Sequence, residues 1–128
     1  MYKALATLLI ALAPFVAAAD TQLMMAEEPG CIWCARWNAE VGDAYHKTHE
    51  GNAAPLRRVD ITDPIPEDIT LARSVNFTPT FVLLVDGTEV GRLEGYAGED
   101  FFWGLLGVLL NENDIEFEQA DPNSDGQL

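Results

Sequence analysis

Cys31 and Cys34 are the only cysteines in the chain, and they stand three apart in Glu28-Pro29-Gly30-Cys31-Ile32-Trp33-Cys34-Ala35-Arg36-Trp37. A cysteine does its chemistry as the thiolate, which attacks disulfides and binds metals. Residues 22–26 read as a short buried strand, Pro29-Gly30 as a turn, and the chain from Ala35 to about His49 as a helix. The pair therefore stands where a strand ends and a helix begins. The first amides of a helix have no partner within it, and the positive end of its dipole stabilises an anion there. Cys31 at that point is expected to ionise more readily than a free thiol, with a pKa of roughly 3.5–7.5 instead of about 8.5. Cys34 follows one turn later on the same face, so its sulfur can close a small disulfide with Cys31. The reading is a dithiol that cycles between reduced and oxidised. Cys31 attacks a partner's disulfide or other oxidised sulfur, and Cys34 resolves the mixed disulfide.

Two other uses of the pair are weaker. A disulfide across so short a loop removes little unfolded-chain entropy, which argues against a staple. Zinc normally takes four ligands, and only His46 and His49 remain to join the cysteines. At 1.5 Å of rise per residue they lie roughly 20 Å away at the far end of the helix. No metal is expected, and no cofactor beyond the redox-active Cys31–Cys34 disulfide. Around the pair, Trp33 is expected to be partly exposed and to rest against a docking partner, and Trp37 to pack in the core. Glu27 and Glu28 precede the motif closely. A carboxylate within a few ångströms of Cys31 would raise the thiol pKa against the helix effect, while a solvated turn is the plainer alternative.

The elements that must position these residues follow in order. Residues 1–19 read as a secretory signal: Lys3 begins it, an apolar run follows to Ala13, Pro14 breaks the run, and Ala17-Ala18-Ala19 offers small residues for cleavage. An uncleaved membrane anchor is the alternative, but the run is short of the about 20 apolar residues a span needs. Cleavage would leave 109 residues, enough for one domain with a modest core. The full chain carries 7 basic and 21 acidic residues. Loss of Lys3 takes the formal charge from −14 to −15. Such a surface repels nucleic acid and anionic membranes. An exported setting is also one in which disulfides form and persist.

Beyond the motif helix, residues 56–61 read as a strand, and Thr62-Asp63-Pro64-Ile65-Pro66 as a breaker cluster. Residues 67–74 then read as a short helix, with acids in its first turn and Arg73 in its last. Residues 80–85 form a continuous apolar run, expected of a strand buried on both faces. Asp86-Gly87 signals a two-residue hairpin, and residues 88–94 alternate as its return strand. Residues 99–111 read as a final helix that is apolar nearly all round over 101–110; core packing is the plainer reading of that surplus, and a homodimer or partner surface is the alternative. The expected organisation is a signal at 1–19, one domain at 20–111 and an acidic tail at 112–128. The element order gives an α/β fold: a mixed, roughly four-stranded sheet flanked by helices on both faces.

On these residues the chain resembles the thioredoxin superfamily. Cys31-Ile32-Trp33-Cys34 follows the first strand, Thr78-Pro79-Thr80 opens the apolar strand, and the Asp86-Gly87 hairpin and the Gly95 loop match as well. The resemblance covers about residues 21–111. The export signal and the Pro-Gly-Cys-x-Trp-Cys-x-x-Trp wording are similar to small periplasmic thioredoxins of bacterial sulfur-oxidation (Sox) systems. The resemblance implies a thioredoxin-like fold, a periplasmic thiol–disulfide oxidoreductase, and a cis bond before Pro79. With that bond, the backbone of Thr78 turns toward the cysteines and pairs with an extended partner peptide. Without the resemblance, Pro79 reads as an ordinary strand-initiating proline. The implied direction is reductive: electrons arrive from a membrane thiol donor and pass to a partner protein carrying a disulfide or oxidised cysteine. A disulfide oxidase or isomerase remains open, since direction follows reduction potential, as does a redox-inert binding module with a structural disulfide. The family's buried aspartate, six residues before its first cysteine, is here Met25, and its Gly-Pro between the cysteines is Ile32-Trp33. Glu27 or Glu28 is the candidate to relay the proton of Cys34 in the aspartate's place.

Overall fold

A computed structural model describes residues 11–15 and 18–117. The signal expected at 1–19 and the end of the tail, 118–128, lie wholly or partly outside the described residues. Its centre is β1 (Thr21–Glu27), in which Leu23, Met24, Met25 and Ala26 are all buried. Four consecutive buried residues mean that both faces of the strand are covered. β2 (Leu56–Asp60) pairs parallel to β1 on one side, and β3 (Thr80–Val85) pairs antiparallel on the other. β4 (Thr88–Glu94) completes the sheet in the order β2-β1-β3-β4. The β3–β4 hairpin turns on Asp86 and Gly87, both at positive φ, 50° and 79°. That backbone matches the right-handed twist of the strands it joins. Gly87 is also needed for space, because a Cβ there would strike the Asp68 carbonyl.

Period-two alternation sends the strand side chains to two separate cores. Leu23, Met25, Phe81 and Leu83 face one side, and Met24, Ala26, Val82 and Leu84 the other. On the first side pack Cys34 and Trp37 of α1 (Ile32–Trp37), Val41 of a π-helical turn (Asn38–Gly42) and Tyr45 of α2 (Asp43–Tyr45). Phe102, Leu106, Leu109 and Leu110 of α4 (Glu99–Glu112) join them there. The helix expected from Ala35 to about His49 is thus less regular than its sequence pattern suggests. It closes at His46, and Thr48 starts a separate α3 (His49–Ala53) by accepting the Gly51 amide at 3.0 Å. His46 and His49 therefore fall on different elements.

The helix expected over residues 67–74 does not form. With Pro64 and Pro66 at its approach, one turn closes, from the Ile69 amide to the Pro66 carbonyl at 3.0 Å. A helix of two turns is a costly nucleus, and here the backbone has better partners. Thr70 pairs with the edge of β4, donating to Gly87 O at 2.8 Å and accepting from Glu89 N at 2.9 Å. Ala72 N donates to the Glu89 carboxylate at 2.7 Å, and Arg92 Nη2 donates to Arg73 O at 2.8 Å. This crossover lays Ile69, and more shallowly Ile61, Ile65, Leu71 and Val75, over the second face of the sheet. The mixed four-stranded sheet stands as expected, but its helices gather on one face and an irregular strap covers the other.

After α4, Ile115 N donates to Leu110 O at 3.0 Å, and Ile115 and Phe117 pack back on the helical core. On the outer side of α4, Phe101, Leu105 and Val108 are exposed.

Candidate active site

The two cysteines are disulfide-bonded, with Cα atoms 5.2 Å apart. Gly30 supplies the turn that precedes them at φ 79°. Cys31 occupies the N-cap position of α1 in extended backbone, and its Sγ accepts the Cys34 amide at 3.0 Å. The sulfur thus sits where an unpaired helix amide points at it, as the strand–turn–helix pattern requires. The sulfurs differ in access: Cys31 is half-buried, whereas Cys34 is 4% exposed and belongs to the helical core.

Trp33 is 51% exposed beside the pair, and Trp37 is fully buried against Tyr45, Phe81 and Phe102. A chain of contacts holds Trp33 in place. The Arg36 guanidinium lies 5.7 Å from its ring centre, Arg36 Nε donates to Glu40 at 2.7 Å, and the Tyr96 hydroxyl donates to the other Glu40 oxygen. Those two hydrogen bonds, from Arg36 first and Tyr96 second, hold the Glu40 carboxyl below its usual range.

Pro79 is buried at the start of β3, and the Thr78–Pro79 bond is cis. Next to it, Phe77 is 61% exposed. Of the two acids, Glu28 accepts a hydrogen bond from Thr78 Oγ1 at 2.8 Å. Glu27 pairs with Arg58 at 2.7 Å. Both line an open depression of about 380 Å³ together with Cys31, Cys34 and Asn38. Met25 is fully buried in the same core as Cys34. The Arg58 Nη1 atom comes within 3.6 Å of its sulfur, while Nη2 donates to Asn38 at 2.8 Å. Arg58 and Phe77 were not among the expected site residues. The parallel register that sets Arg58 beside Met25 is the signal that points to Arg58. For Phe77 the signal is an aromatic directly before Thr78-Pro79 in a loop. Among the described residues, no group of three or more His, Cys, Asp or Glu is placed to hold a metal ion.

This is a thiol–disulfide site on a four-stranded mixed sheet, and comparison with known proteins agrees. The chain is similar to the crystal structure of the periplasmic thioredoxin SoxS from Paracoccus pantotrophus in its reduced form. The two share 52% sequence identity with a TM-score of 0.72, over 73% of this chain and 99% of that one. The sequence matches no family model and no curated protein. The chain belongs to the thioredoxin family and is a thiol–disulfide oxidoreductase.

Proposed function

We propose that this protein works outside the cytoplasm, in the periplasm, and reduces a partner protein that carries a disulfide or an oxidised cysteine. The observation that carries this reading is the unequal access of the two sulfurs, one open and amide-assisted, one buried. In the reduced protein, the Cys31 thiolate attacks the nearer sulfur of the partner's disulfide. A Cys31–partner disulfide forms and the partner's second sulfur leaves as a thiolate. The Cys34 thiol gives up its proton, attacks Cys31, and releases the partner with both of its sulfurs reduced. Two electrons have moved, and the internal disulfide is restored. A membrane thiol donor then returns the pair to the dithiol. The kinship with a periplasmic thioredoxin supports export, and the Pro-Gly-Cys-x-Trp-Cys-x-x-Trp wording favours a place in sulfur-compound oxidation. Trp33, Thr78 and Pro79 receive the partner, with the Thr78 backbone offered to an added strand.

The test is trapping with Cys34→Ala in the native exporting cell. Without the resolving thiol, Cys31 is expected to hold its partner as a stable mixed disulfide that runs at higher mass until reductant is added. No trapped species would count against a reductase.

With Met25 where the family has an acid, the Cys34 proton needs another exit, and Glu27 and Glu28 line the depression that reaches Cys34. Loss of the relay in Glu27→Gln or Glu28→Gln should displace the pH–rate profile of disulfide reduction. Profiles superposable on the parent's in both variants would remove the relay.

A further inference from the structure

The β1–β3 ladder is antiparallel, and its last pair toward the site is Ala26 opposite Thr80. Continuing that register would set Glu27 opposite Pro79 and Glu28 opposite Thr78. Pro79 has no N–H to give, so the backbone ladder stops there. One step further on, a side-chain bond spans the gap: Thr78 Oγ1 donates to Glu28 Oε1 at 2.8 Å. The backbone on each side of Thr78 is also fixed. Phe77 O accepts from Thr80 Oγ1 at 2.6 Å, and Pro79 O accepts from Gly95 N at 2.8 Å. Thr78 itself is different. Among the described residues its N–H and C=O have no backbone partner, which makes it a short free edge of the kind an extended peptide pairs with. Glu28 also reaches the nucleophile's turn, since its carbonyl accepts the Cys31 amide at 3.3 Å.

We propose that Glu28 is a positioning residue for partner docking, its carboxylate bridging to Thr78 in place of the missing ladder rung. One residue thereby sets the free edge of Thr78 and the turn that carries Cys31 relative to each other. A hydrogen bond to an ionised acceptor is stronger than a neutral one, which suits a joint between two segments fifty residues apart. The inference rests on the oxidoreductase reading above and adds a determinant of which disulfides are reduced well. Substrates with a peptide backbone use the edge. A small disulfide without one does not.

The experiment compares the reduced protein acting on two synthetic peptides joined by a disulfide with the same protein acting on 2-hydroxyethyl disulfide. Glu28→Ala and Thr78→Val are each expected to lower the peptide-to-small-disulfide ratio of kcat/KM about fivefold, the size of one modest hydrogen bond. The loss should appear in the KM for the peptide. Glu28→Gln keeps a carbonyl acceptor but loses the charge, and should lower the ratio by less than Glu28→Ala does. The double variant Glu28→Ala/Thr78→Val should fall no further than either single change, because both remove one bond. An unmoved ratio in Glu28→Ala, multiplicative losses in the double variant, or an equal loss in Glu28→Gln would each overturn the bridge. Failure of the parent protein to reduce either disulfide would overturn the oxidoreductase reading, and this inference with it. A normal parent rate with an unmoved ratio overturns this inference alone.

Discussion

The two faces of the sheet are built on different principles. On the helical face, large rings fill the space: Trp37, Tyr45, Phe81 and Phe102 lie with centroids 4.9 to 6.4 Å apart in tilted and edge-on contacts. On the other face the residues are mostly aliphatic, Met24, Ala26, Val59, Ile69, Val82 and Leu84. They lie under a strap that is tied to β4 by polar bonds. Its anchor is the Arg92–Glu89 pair, with side chains only 5% and 3% exposed. Arg92 reaches the carbonyls of Arg73 and Ser74, and Glu89 takes the Ala72 amide. The candidate site draws one half from each regime. Cys31 and Trp33 ride on a helix locked by packing, whereas Phe77, Thr78 and Pro79 end a strap held largely by charge and hydrogen bonds. A nucleophile fixed by close packing is thus matched with a docking edge fixed by directional polar bonds.

That contrast should be largest in unfolding experiments. Trp37→Ala removes the ring shared by three aromatic neighbours and should destabilise the fold by about 3–5 kcal/mol, the range for large aromatic truncations in a packed core. Ile69→Ala empties a site under the strap that is better able to collapse, and should remove about 2 kcal/mol, the low end for its type. Urea titration followed by circular dichroism measures both. Equal losses would mean that the strap is packed as tightly as the helical face, and the distinction between the two faces would break.

The legibility of the sequence follows the same division. All four strands lie within a residue of their expected limits: β1 and β3 read from apolar runs, β4 from alternation, and β2 from the β-branched residues at its end. The Asp86-Gly87 turn was legible for a similar local reason, since both positions need positive φ. Cys31 at a strand–helix junction was legible from flanking residues alone. The strap was not. Acids early and an arginine late in 67–74 satisfy the preferences of a helix end, but those preferences are weak beside tertiary partners. The Glu89 and Arg92 side chains that capture its backbone come from a strand some twenty residues later. The pairing of Glu28 with Thr78 was hidden likewise, because it depends on the β1–β3 register, which no local pattern states.

The smallest expected effect separates the faces by pH. Burial pushes the Glu89 carboxyl up, but hydrogen bonds from Arg92 and the Ala72 amide, with the charges of Arg92 and Arg73, hold it below its ordinary value. A carboxyl depressed in the folded state binds fewer protons there than in the unfolded chain. Its stabilisation is complete above the unfolded value of about 4.3 and is lost as pH falls through the lower folded value. The helical face carries the opposite case. Burial first, then the Glu50 charge, raises the Tyr45 hydroxyl; burial first, then its bond to Glu40, raises that of Tyr96. Their contribution is complete below the unfolded value of about 10 and is lost as pH climbs toward the raised folded values. Glu89→Gln should therefore flatten the acid limb of a stability–pH curve and leave the alkaline limb alone. Tyr45→Phe should do the reverse, because the Tyr45 hydroxyl donates to a backbone carbonyl and to no carboxylate, and denaturant midpoints from pH 3 to 11 would record both. If Glu89→Gln changed both limbs equally, the strap and the helical face would be one electrostatic unit rather than two.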